Sequence, residues 1–412
     1  MLRKRIAVIG GGAAGMTAAI TAAGEGGQVT IYEHQERLGK KILSTGNGKC
    51  NLGNRKLSAS QYSGGDEALL EDCFKKFGTD DTIHFFEDLG LLIKDRNGYL
   101  YPACEQASAV LDVLRTKIST LGVHVEIGIH VDKVKQGRSG ELLVHSGQKC
   151  EGYDRVIIAC GGKAASKTGS DGSGYKIAGQ MGHFLTPVVP ALTSLLCQET
   201  YCKAIAGVRA DAQISVYDGR ELTARERGEL QLTDYGISGI PVFQLSGKVN
   251  RLLADKKKLR VEIDFLPDYG EEAFEQMISR RAVLADGRTT EEFFTGILHK
   301  KLIVLFIKLA GLHTNEAVSQ VPSAGIHKVY GYLRCFPLHI TGSKSFDNAQ
   351  ICAGGVKFSE ITAALESRKL PGVYFAGEIL DIDGRCGGYN LQWAWTSGYI
   401  TAMNAMAMDA MG

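Results

Sequence analysis

The sequence predicts an α/β protein, a doubly wound parallel sheet interrupted by an inserted module of short strands and helices. Three observations carry that prediction. Residues 6–33 run strand, glycine turn, helix, strand, acid. Apolar strands near 155–160 and 373–378 end in Gly161-Gly162 and Ala376-Gly377-Glu378, as buried sheet strands do where they meet a ligand edge. Between Pro187/Pro190 and about residue 336 the pattern changes character, and then it returns.

The first element is the run Ile6-Ala7-Val8-Ile9, followed at once by Gly10-x-Gly12-x-x-Gly15. Gly10 permits a tight turn, Gly12 lets a pyrophosphate approach the backbone, and Gly15 lets the next helix pack on the strand. That helix opens with Ala13 and Ala14 and stops at Gly24, Gly26 and Gly27. Its first N–H groups are unpaired and carry partial positive charge, which suits phosphate. A second strand (29–32) delivers Glu33 where a carboxylate would accept adenosine ribose hydroxyls.

Residues 38–51 are too broken by Gly and Lys for a helix or strand, so a structured loop is expected. Helical spacing follows at 67–89 and 107–121, with a short edge strand at 99–102 between them. Runs at 123–127, 131–135 and 141–145 alternate and read as a small antiparallel meander. A meander in place of another crossover helix points to an FAD-type, glutathione-reductase-like Rossmann domain rather than a plain NAD domain. Val131, on the meander, is expected to meet the cofactor, as is Gly161 after the buried strand.

The FAD-binding domain is therefore expected at 1–187 and 337–412. The inserted substrate domain spans 188–336, with a β-barrel or sandwich part at about 188–267 and 320–336 and a helical part at about 268–319. Short strand-like runs lie at 195–217, 229–232 and 259–266, and 271–311 reads as helical throughout. A long helix is expected from 390 to 408.

Composition narrows the function classes. The 412 residues carry 47 basic and 45 acidic side chains, a net charge of +2, so no field attracts nucleic acid or anionic lipid. Lys256-Lys257-Lys258 reads as a solvated turn. Arg3, Lys4 and Arg5 precede an apolar run that glycines break after four residues, unlike a secretion leader, and 302–310 is far too short to span a bilayer. A cytoplasmic protein without a membrane partner is expected. Ten cysteines without a CxxC pair fit neither a disulfide framework nor a zinc knuckle, and no metal site is expected. The loop after Glu33 lacks the spacing of a P-loop.

Towards the C-terminus, Gly377-Glu378, Asp381-Ile382-Asp383-Gly384 and Gly387-Gly388-Tyr389-Asn390-Leu391 carry the chemistry. Glu378 is placed to accept from a ribityl or ribose hydroxyl. Gly388 lets the first amides of the last helix face a flavin, where their dipole would stabilise charge near N1 and O2.

With these segments, the chain resembles the BaiN/RdsA family of NAD(P)/FAD-dependent oxidoreductases, which includes aminoacetone-oxidase-like flavoproteins. The motifs are GGGAAG (10–15), GKKILSTGNGKCN (39–51), ACGGKAASKT (159–168), GELQLTDYGISGIPVFQLS (228–246), AGGV (353–356) and AGEILDIDGRCGGYNLQWAW (376–395). The resemblance spans the whole chain and implies one FAD. Asp383, Gly388, Asn390 and Leu391 then join Gly377 and Glu378 as expected cofactor contacts. Cys160 stands where the family commonly has Thr, and Arg385-Cys386 where an uncharged pair is usual. In the loop, Lys41 would lie beside the ribose or pyrophosphate, while Gly46, Gly48 and Asn51 would present amides to the flavin edge. The candidates offered for catalysis are Cys50, Asn51 and Tyr389.

The expected activity is two-electron transfer at flavin N5, with NAD(P)H as donor and a polarised C=C bond of a small molecule as acceptor. An amine oxidase releasing peroxide is the alternative within the class, and a flavin-binding protein without turnover the alternative outside it. No second GxGxxG is present, so no dedicated nicotinamide domain is expected.

Overall fold

A computed structural model describes residues 3–408. The chain forms two compact units, one running to Val189 and again from Phe346, the other Pro190–Ser345.

The first unit is built on five parallel strands: β1 (Arg5–Ile9), β2 (Gln28–Glu33), β3 (His124–Ile127), β4 (Arg155–Ile158) and β5 (Val373–Phe375). Their order is β5-β4-β1-β2-β3. Ile6 pairs with Val29 on one side and Arg155 on the other, so β1 is central. Both faces of such a sheet are covered, and Ile6, Ala7, Val8, Val156, Ile157 and Ile158 are all fully buried. Each such Ile or Val contributes about 1.5–3 kcal/mol. Helix α1 (Ala13–Gly24) is alanine-rich and mostly buried, because small side chains let it lie close on its neighbours. Its partner is α2 (Tyr389–Met406), and they approach so closely that a Cβ on Gly398 would sit 2.5 Å from the Ala14 carbonyl.

The first strand of the anticipated meander is β3, the edge of the parallel sheet. The antiparallel trio is Lys133–Gln136, Leu142–Ser146 and Lys149–Tyr153, the last of which the polar sequence had hidden. The strand Tyr99–Pro102 is central, not an edge, between Gly53–Asn54 and Ile93–Arg96. The helical stretch 67–89 is two helices, Glu67–Lys76 and Thr79–Asp88, split at Gly78.

The second unit is a closed six-stranded barrel with helices packed on it. Ile214, Val216, Val261, Ile263 and Leu338 alternate inward along the strands, and Phe294, Phe306 and Phe336 complete one core. Phe336–Ser343 closes the barrel against Leu195–Cys197 and Leu259–Asp264, so the unit runs nine residues beyond the expected boundary at 336. Ser323–Arg334, expected in the β part, is a helix, and so is Ile240–Ala254. The stretch 271–311 is three helices, Glu271–Ala282, Thr290–Phe294 and Lys300–Leu309, interrupted by Gly287 and Gly296 in left-handed conformation.

Candidate functional site

The glycine turn follows β1 and feeds α1. Gly10 has φ +104°, and a Cβ there would lie 2.5 Å from the Ala159 carbonyl, on the neighbouring strand's end. A Cβ on Gly15 would overlap the Gly10 carbonyl, so strand and helix touch backbone to backbone. A Cβ on Gly12 would meet nothing within 4 Å. Open space therefore lies at the mouth of α1, which has no side-chain cap and no acid in its first turn. Uncapped N–H groups facing space are what a pyrophosphate needs.

Glu33, at the end of β2, is 7% exposed. Its Oε2 accepts the Gly11 N–H and its Oε1 the Gln35 N–H, both at 2.8 Å. The carboxylate thus ties the glycine turn to β2 and keeps lone pairs for a ribose diol. Beside it His34 Nδ1 lies 3.4 Å from Oε1, a neighbour the sequence reading passed over. Ile129, two residues before Val131, donates its N–H to the Glu33 carbonyl at 3.0 Å. The Val131 side chain is buried in the core, so only its main chain can face a ligand.

Lys41 and Glu378 come together across 337 positions. Nζ sits 2.9 Å from Oε2, while Oε1 accepts the Cys352 N–H at 2.7 Å. Each was expected to meet the cofactor; the structure also pairs them with one another. Gly161 and Gly377 have φ +71° and +78°, and a Cβ on Gly377 would press on the Ala14 side chain at 3.0 Å.

Residues 40–48, expected as a loop without helix, form 3₁₀ turns broken where Gly46 and Asn47 take positive φ. Gly46 and Gly48 are exposed along this segment. Cys50 is fully buried, and burial pushes its thiol up to about 12, so it is no nucleophile near neutral pH. The Asn51 amide nitrogen donates to the carbonyls of Gly53 and Leu100, at 2.9 and 3.1 Å. Tyr389 is 6% exposed, edge-on to Tyr62, whose hydroxyl donates to the Tyr389 carbonyl at 2.8 Å. All three catalytic candidates are thus committed to packing or backbone support.

At the head of α2, Gly388 has φ +97°, and a Cβ would lie 2.6 Å from both the Gly53 carbonyl and the Asn51 amide. Asn390, expected as a cofactor contact, spends its side chain on Gly384, accepting from its N–H and donating to its carbonyl at 2.8 Å each. Asp383 lies in the short strand Ile382–Gly384, paired with Ser63, and Leu391 packs partly buried against the α1 core. Asn54, absent from the sequence reading, donates to the Gly387 carbonyl at 3.1 Å. Its position just past the recognisable loop motif is the one signal that could have found it.

Residues 4–404 match the HI0933-like protein Rossmann domain. The chain belongs to the HI0933-like family. A relative named 3-dehydro-bile acid delta(4,6)-reductase, from Clostridium scindens, is 43% identical over 98% of this chain and 99% of its own. A second, named ribosomal RNA dihydrouridine synthase, from Haemophilus influenzae, is 27% identical over 96% and 97%. Among solved structures, 3-ketosteroid delta1-dehydrogenase from Sterolibacterium denitrificans aligns with TM-score 0.52 at 11% identity, over 98% of this chain and 100% of that one. That likeness shows the fold.

This member of the HI0933-like family is an FAD-dependent oxidoreductase. The residues fit that cofactor: an uncapped α1 mouth with room beside Gly12, a buried acid behind it, and a second uncapped helix start at Gly388. Of the positions expected to depart from the family pattern, Cys160 is turned inward onto the Ile9 carbonyl, with burial raising its thiol to about 12. The Arg385 N–H donates to the Gln61 carbonyl at 3.0 Å. Among the described residues no His, Cys, Asp and Glu group is placed to hold a metal, and no helix is long and apolar enough to cross a membrane.

Proposed function

We propose that the protein is a reductase that takes two electrons from NAD(P)H and delivers them to a polarised C=C bond of a small organic substrate. The observation that carries this reading is 43% identity along 98% of the chain to a relative named as a bile acid reductase. The net charge of +2 supports a small molecule over the RNA named for the more distant relative.

FAD would supply two-electron chemistry at N5 and an N1/O2 edge that favours nearby positive charge. The chain's residues do the rest. The α1 amides at Ala13, Ala14 and Gly15 would hold the pyrophosphate, and Glu33 and the Val131 main chain would hold the ribose. Lys41 and Glu378 act as a pair, Glu378 presenting the remaining lone pairs of its oxygens to a sugar hydroxyl. The amides heading α2, at Gly388 to Leu391, stabilise the charged edge. Asn51, Asp383 and Asn390 shape that cradle through the backbone. The barrel unit Pro190–Ser345 supplies substrate recognition, a role supported by every expected FAD contact lying in the other unit.

The test is rapid-mixing measurement of flavin reduction by NADH, NADPH and a panel of small amines. Fast reduction by a nicotinamide, followed by reoxidation with a 3-oxo bile acid unsaturated at positions 4 and 6, is the expected outcome. Fast reduction by an amine with peroxide release would replace the reductase by an oxidase.

A further inference from the structure

We propose that Asn54 is a positioning residue for the flavin: by holding the Gly387 carbonyl, it aims the Gly388 N–H into the cradle at the head of α2. The proposal rests on the assignment of the flavin's N1/O2 edge to that cradle.

Asn54 ends the short strand Gly53–Asn54 and is 3% exposed. Both ends of its amide are occupied, Oδ1 by the Lys56 N–H at 2.9 Å and Nδ2 by the Gly387 carbonyl at 3.1 Å. An acceptor facing a donor and a donor facing a carbonyl leave one orientation of the amide.

The peptide it grips joins two glycines. Gly387 and Gly388 have φ +129° and +97°, conformations open to glycine, so the peptide between them could turn at little cost. Asn390 fixes the segment at Gly384 and Gln61 fixes it at Arg385. Neither reaches the peptide joining Gly387 to Gly388. A trans peptide holds its C=O and N–H antiparallel. Anchoring the Gly387 oxygen on Asn54 therefore sends the Gly388 N–H to the opposite side. The N–H groups of Gly388, Tyr389, Asn390 and Leu391 have no protein acceptor among the described residues, and Gln392 is the first whose N–H returns to the chain, on the Gly388 carbonyl. Asn54 thus sets the direction of the outermost of four free donors, the one whose peptide the helix does not itself fix.

Three variants test this, with FAD content and flavin midpoint potential as readouts. Asn54→Ser is too short to reach Gly387, and Asn54→Leu has no donor; neither adds charge. Thr79→Val removes the 2.9 Å hydroxyl bond to the Asn54 carbonyl and leaves the amide in place, a control for loosening the same strand. Losing one aimed hydrogen bond to a charged acceptor should lower the reduced-to-oxidised ratio at fixed potential by about tenfold, a shift of about 30 mV for two electrons. Both Asn54 variants should retain FAD and show that shift, and Thr79→Val should not. Wild-type potential in an FAD-loaded Asn54→Ser or Asn54→Leu protein overturns the proposal. A parallel Gly388→Ala protein separates the two ideas. If Gly388→Ala shifts the potential and the Asn54 variants do not, the cradle stands and Asn54 has no part in it. If none shifts, the flavin assignment falls as well.

Discussion

Replacing Glu33 by Gln changes one atom and separates two roles of that side chain. In the native protein both carboxylate oxygens accept main-chain N–H groups at 2.8 Å, from Gly11 and Gln35, in a setting only 7% exposed. Glutamine can satisfy one of them; its NH₂ then faces the other N–H, donor against donor. Hydrogen bonds to charged groups are worth about 1.5–3 kcal/mol, so the fold should lose roughly that amount. FAD loses a charged acceptor for its ribose by the same substitution, which at about 1.4 kcal/mol per factor of ten gives a dissociation constant raised on the order of 10- to 100-fold. Denaturant melts of the protein stripped of FAD measure the first effect, and FAD titration by flavin fluorescence measures the second. A variant that loses stability but binds FAD as tightly as wild type would refute the ribose role while sparing the structural one. Unchanged values in both would refute the reasoning altogether.

Three further outcomes are expected. Gly15→Ala should abolish FAD retention and lower the melting temperature sharply, because the new methyl overlaps the Gly10 carbonyl backbone and nothing flexible can yield. At pH 8 a thiol reagent should label the exposed Cys104 and Cys150 in the native protein and leave Cys50, buried and raised to about 12, unlabelled until unfolding; mass spectrometry of the peptides reads this directly. His183 is buried beside Glu360, Ser367 and Phe375, and burial holds it below its ordinary 6.5. The unfolded chain then takes up a proton that the folded chain refuses, so stability present above pH 6.5 is lost as pH falls below it. Melts from pH 8 to 5 should show that loss, with a shallower slope in His183→Gln.

The nucleotide half of the fold was legible because its chemistry is local. Strand, glycine turn, alanine helix and acid lie within 33 residues, and each residue's reason for being there can be read from its neighbours. The barrel was harder. Its strands draw inward-facing residues from positions as far apart as Leu195 and Ile340, and a pattern of period two cannot say which strand pairs with which. The helix Ser323–Arg334 reads as strand in the sequence because its short run of Val, Tyr and Leu fits either period. At the site, residue types were legible but their partners were not. Lys41 and Glu378 each read as cofactor ligands, and only the fold shows that each is the other's counter-charge. Asn51 and Asn390 read as polar groups free to meet a ligand, whereas both amides are spent on backbone carbonyls and N–H groups.

The pairing of α1 with α2 has a consequence for biosynthesis. The first strand and helix emerge early, but the helix that covers α1 ends at Met406, and the Trp395 indole reaches back 343 positions to the Leu52 carbonyl. At about 5–20 residues per second, the N-terminal half of the cofactor site waits roughly 20–70 s on the ribosome for its other wall. Until then the mouth of α1 is half a site with a bare apolar flank, so this chain should lean on holdase chaperones during synthesis. Loss of the final helix, by a late stop or a nick, should leave an aggregating chain rather than an apoprotein.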